Sequence, residues 1–83
     1  MSNTERLIWQ GQKQEKIQAA KKLEMSITTL RQDIRTILNP FVPISDIDQE
    51  MLTNQTFELA DKLIQYKQLC REIAAINDSL GIK

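Results

Sequence analysis

Six side chains in one stretch of this sequence could meet a nucleic acid: Lys21, Lys22, Thr28, Arg31, Gln32 and Arg35. Arginine and glutamine offer paired hydrogen-bonding groups that match base edges, threonine adds a hydroxyl, and lysines neutralise phosphates whatever the base sequence. If the segment is helical, Thr28, Arg31, Gln32 and Arg35 follow the three-and-four spacing that gathers them on one face. Other chemistry is poorly provided for. Cys70 is the only cysteine and there is no histidine, so the sequence offers no disulfide within the chain, no usual zinc ligand set and no imidazole to activate the thiol. Cys70 reads as a small buried hydrophobe. Asp46 and Glu50 lie one helical turn apart, where helix capping accounts for the pair without catalysis. With no phosphate-cradling glycine loop either, the sequence points away from an enzyme, and no cofactor, metal or small-molecule site is expected.

The elements that would position these residues are helices. Ser2 with Glu5 has the spacing of a capping box, with Thr4 as a competing cap, so a helix should begin within the first few residues. Gly11 sits in a stretch without apolar side chains, Gln10 to Lys16, where a break is plausible. From Ile17 the apolar positions recur at 17, 20, 23, 27, 30, 34, 37 and 41, the stripe of a buried helical face. Pro40 and Pro43 should end that helix near Leu38. Ser45 or Asp46 then caps a second helix, with Ile44 as its hydrophobic staple. From Leu52 a heptad register runs through Thr56, Leu59, Leu63, Tyr66, Cys70, Ile73, Asn77 and Leu80, and Gly81 ends it. Leu59, Leu63, Tyr66, Cys70, Ile73 and Leu80 are the expected oligomerisation residues. Trp9 reads as packing at a helix end rather than as a base-stacking platform.

Charge divides the 83 residues. Residues 1–41 carry seven basic side chains against four acidic ones, and residues 42–83 the reverse. The asymmetry suits a basic surface for phosphates beside an acidic element, or two antiparallel helices that attract each other. So short a chain has a small core, and self-association is the expected remedy. No apolar run approaches the roughly 20 residues needed to cross a bilayer. Residues Met1 to Arg6 lack the order of an export signal, so a cytoplasmic location is expected.

The string Ala20-Lys-Lys-Leu23-Glu-Met25-Ser26-x-x-Thr29-Leu30-Arg31-Gln-Asp33-Ile34 resembles the bacterial helix-turn-helix of the DeoR-type repressors and, more loosely, of the MerR type, over residues 17–38. The resemblance implies a sharp turn at Glu24 to Ser26. It also implies a recognition helix around residues 27–38 and a small DNA-binding protein, a transcription regulator or a phage or plasmid accessory factor. Glu24 stands where such turns often have glycine or asparagine, and residues 39–45 are too few for a winged hairpin. The fold expected on this reading is all-α: a helix-turn-helix-like segment over residues 1–41 and a long amphipathic dimerisation helix over 42–83. The partners would be double-stranded DNA and a second copy of the chain. The alternative is a two-helix antiparallel coiled-coil hairpin that forms a bundle by self-association, a non-enzymatic module for assembly or protein–protein interaction. The two readings diverge at the backbone path through Glu24, Met25 and Ser26.

Overall fold

The computed structural model describes residues 2–81. Helix α1 runs from Asn3 to Ile37 and helix α2 from Gln49 to Leu80, with a 3-10 turn at Ile44–Asp46 between them. The described residues contain no strand. The helices fold back on each other as a hairpin measuring 63 × 18 × 15 Å. Their antiparallel register is fixed by two cross-helix bonds. Lys16 Nζ lies 2.9 Å from Glu72 Oε2, and the Tyr66 hydroxyl donates to Glu24 Oε1 at 2.7 Å.

Each end of α1 is set by local chemistry. The Ser2 hydroxyl oxygen accepts from the Glu5 amide at 3.2 Å, satisfying one of the orphan donors of the first turn. Leu38 caps the other end, its amide donating to the Ile34 carbonyl at 2.9 Å. In the link, Asn39 Oδ1 accepts from the Phe41 amide at 2.9 Å and holds the chain in a turn ahead of Pro43. The cap of α2 falls later than the spacing suggests. Asp48, not Ser45 or Asp46, accepts from the Met51 amide, at 3.0 Å, because residues 44–46 are used in the 3-10 turn. Ile44 is 90% exposed and is not a staple. Gly81 ends α2 with φ of 73°, a left-handed conformation that costs glycine nothing.

No turn interrupts α1. Glu24, Met25 and Ser26 are helical, and the expected helix-turn-helix boundary is replaced by one continuous helix. The β-branched residues Thr28 and Thr29 that follow are accommodated by hydroxyl back-bonding. Thr28 Oγ1 donates to the Glu24 carbonyl at 2.8 Å and Thr29 Oγ1 to the Met25 carbonyl at 3.1 Å, so both polar groups are satisfied inside the helix. Ser26 is a half-buried interior residue, not a cap. Gly11 also stays helical, and a methyl group added there would meet nothing within 4 Å.

On α1 the seam follows positions 9, 13, 16, 20, 23, 27, 30, 34 and 37 in an unbroken heptad rhythm, with half-buried positions 17, 19 and 26 on its flanks; on α2 it follows 52, 55, 59, 62, 66, 69, 73, 76 and 80, with half-buried 72 and 77 beside it. Ala20, Ile27, Leu30, Ile76 and Leu80 are the buried apolar side chains. The seam is mixed. Lys13 and Lys16 on α1 and Lys62 and Tyr66 on α2 occupy seam positions, where long side chains cover apolar neighbours with their stems and keep their polar ends outward, and Gln55 is a further polar residue of the seam. Gln55 Oε1 is buried without a protein partner, as is Asn77 Oδ1 on the flank.

The α2 register read from the sequence is half right. Leu52, Leu59, Tyr66, Ile73 and Leu80 do face α1. The other half of the stripe is Gln55, Lys62, Leu69 and Ile76 rather than Thr56, Leu63, Cys70 and Asn77. A shift of one residue turns a helical side chain by 100°. Thr56, Leu63 and Cys70 therefore lie exposed and Asn77 only half-buried, and Cys70 is not the buried hydrophobe expected.

Candidate functional site

Of the expected oligomerisation residues, Leu59, Tyr66, Ile73 and Leu80 are taken up by the seam within the chain, while Leu63 and Cys70 remain on its outer flank. The hairpin leaves much of its surface open. The chain exposes 6643 Å², whereas a compact monomer of 9.6 kDa exposes about 5,100 Å².

Most of the exposed large apolar side chains of the described residues fall in three regions, with Met25 on α1 and Met51 at the start of α2 standing apart. The first is the face of α2 opposite the seam, where Phe57 is 78% and Ile64 is 68% exposed, one directly above the other at seven-residue spacing, with Ala60 between them and Leu63 at the edge. The second is the hairpin tip, where Phe41 is 92% exposed beside Leu38 and Ile44. The third is the far end, with Leu7 and Ile8 on α1. Isolated exposed apolar residues are ordinary, whereas Phe57, Ala60, Leu63 and Ile64 adjoin one another on one side of α2.

The six residues nominated for DNA contact are all exposed on α1. Lys21, Thr28 and Arg35 align at seven-residue spacing, with Arg31 and Gln32 beside them, so a ridge forms even though the backbone does not turn. Neither Arg31 nor Arg35 has an ion-pair partner among the described residues. Thr28, Arg31, Gln32 and Arg35 also border an open groove of about 810 Å³ near the tip, with Ile34, Leu38, Phe41 and Leu59 as its apolar lining. Helical spacing puts these polar residues on neighbouring positions of α1; the part of the apolar lining supplied by the tip and by α2 depends on the hairpin being folded.

Two titrating groups are tuned by the seam. The Tyr66 hydroxyl is pushed up from 10.0 to about 12, first by its hydrogen bond to Glu24 and then by the charge of that carboxylate, with Cys70 adding to the effect. Glu72 is held below its ordinary carboxylate value, chiefly by its bond to Lys16 and then by Gln68. Both groups join the helices, and neither borders a cavity suited to a reacting molecule. Among the described residues no cluster of histidine, cysteine and carboxylate side chains could hold a metal ion. No helix is long and apolar enough to cross a membrane. Comparison with known proteins finds no matching family model, no matching curated protein and no matching solved structure.

Proposed function

We propose that this chain is a non-enzymatic helical hairpin whose role is assembly, in which α1 holds α2 straight and α2 presents an apolar row to another helix. The observation that carries the reading is the exposed pair Phe57 and Ile64 on the side of α2 turned away from α1. The seam needs neither residue, and their exposure leaves apolar area uncovered at about 25 cal/mol per Å². A photoreactive amino acid placed at position 57 or 64 should give a discrete cross-linked species in cells. The same probe at Gln18 or Gln32, on the outer side of α1, should give none. Equal labelling from all four positions, or none from any, would remove the reading.

A second reading is favoured by the unpaired cations Arg31 and Arg35: the ridge of α1 meets duplex DNA as a straight helix, with Lys21 and Lys22 on phosphates. Such binding would fall steeply with added salt. Loss of duplex affinity in the Arg31→Ala, Arg35→Ala double variant, with helicity preserved, would establish it. Absence of any salt-dependent affinity at micromolar protein would dismiss it.

A further inference from the structure

The outer face of α2 carries a column at seven-residue spacing: Glu50, Phe57, Ile64 and Arg71, all exposed. Read down the helix its chemistry is acid, apolar, apolar, base. Such an order is complementary to itself when reversed and clashes with itself when it is not. Laid antiparallel against a second α2, with a two-fold axis level with the midpoint of Ala60 and Asp61, Phe57 of one copy meets Ile64 of the other, and Glu50 meets Arg71, each twice. Laid parallel, glutamate would face glutamate and arginine would face arginine. Neither Glu50 nor Arg71 has an ion-pair partner among the described residues.

We propose that a second copy of this chain docks on this column in an antiparallel, two-fold symmetric arrangement, giving a four-helix assembly with the two α2 helices at its centre. The proposal rests on the assembly reading above and names its partner. Isologous contacts of this kind require a self-complementary patch, which the column supplies. Ala60, next to the axis, is small enough to let the two backbones approach. The column spans 21 residues, about 31 Å at 1.5 Å per residue, long enough for a contact burying about 800 Å² on each partner. One contact opposes it: Asp61 lies beside its own counterpart near the axis. Its carboxylate is occupied locally by Gln65 Nε2 at 3.0 Å.

Sedimentation equilibrium of the full chain should give twice the 9.6 kDa chain mass. Phe57→Glu with Ile64→Glu should give a monomer whose circular-dichroism spectrum still reports two helices. Glu50→Arg alone or Arg71→Glu alone should weaken the dimer about tenfold, since each removes two exposed ion pairs and sets like charges together. The two combined in one chain should restore it, because the pairs are remade with their signs exchanged. Failure of that rescue overturns the antiparallel arrangement. Cysteine cross-linking gives an independent readout. In the proposed dimer the two Cys70 residues sit 19 residues apart along the helix direction, about 28 Å, so oxidation should not join them. In a Cys70→Ser background, Ala60→Cys should cross-link readily. A Cys70 disulfide dimer would indicate parallel packing and overturn the proposal. A wild-type chain that is monomeric at several hundred micromolar overturns it too. If position 57 nevertheless cross-links to a different protein in cells, the assembly reading survives while self-docking falls.

Discussion

The outer columns of the two helices occupy equivalent places in the same hairpin and have opposite character. On α1, opposite the seam, the column reads Gly11, Gln18, Met25, Gln32; on α2 it reads Glu50, Phe57, Ile64, Arg71. One is mostly polar and ends in a residue that weakens helix. The other has two large apolar groups with a charge at each end. Because the inner faces share one heptad rhythm, fold stability alone does not require the difference. The seam holds the hairpin together, and on the assembly reading proposed above the outer column of α2 is the side a partner covers.

Breaking what the two helices share should have the largest effect. Ile76→Ala, at the most buried position of the seam, should cost about 2–5 kcal/mol, enough to unfold much of so small a domain in a urea titration. Retained stability would mean the seam is held elsewhere. The contrast between the columns is tested next by matched substitutions. Phe57→Glu should remove association while Met25→Glu, at the one large apolar residue of the α1 column, leaves the solution mass unchanged; equal responses would erase the distinction. A smaller gain is expected from Gly11→Ala, which fills open space in a helix interior and should stabilise by up to about 1 kcal/mol, read as a higher melting temperature.

The smallest effects are those of pH. Glu72 binds its proton more weakly folded than unfolded, so its contribution is present above the ordinary carboxylate range and fades as pH falls through the folded value. Tyr66 is the reverse. Its neutral hydroxyl is favoured by Glu24, so the contribution is complete below pH 10.0 and is lost as pH rises toward about 12. Both groups are open to solvent, and thermal melts should shift only slightly. Lys16→Met should reduce the acid-side shift, leaving the part due to Gln68, and Tyr66→Phe should abolish the alkaline one.

Much of the fold was legible where local chemistry decides. The Ser2 cap, the end of α1 before Pro40, the Gly81 terminus and the two long helices follow from capping groups, prolines and apolar rhythm. The turn expected at Glu24 to Ser26 rests on the likeness of residues 17–38 to a helix-turn-helix, which carries no information about the partner helix. The helix runs on because the apolar stripe of Ala20, Leu23, Ile27 and Leu30 continues against α2, while the threonine hydroxyls find acceptors one turn back. The half-shifted register of α2 has a different cause. Two apolar stripes run along that helix, and Leu63 with Cys70 belongs to the flank between them. Only the partner helix decides that Lys62 and Leu69 turn inward instead. Of the candidate surfaces, the cationic ridge of α1 could be read from spacing. The column from Glu50 to Arg71 was hidden, because picking an inner face first is necessary before an outer one can be recognised.

The proline-containing link between Leu38 and Asp48 also orders events in time. Seam pairs beside it, such as Ile37 with Leu52, close a loop of about 15 residues, whereas Trp9 and Leu80 at the open end must bring together about 70, and loop-closure entropy grows with length. The chain should therefore zip from the tip. Substitutions around Ile34 would slow folding and those around Ile76 would mainly hasten unfolding, a polarity that chevron measurements would expose or refute.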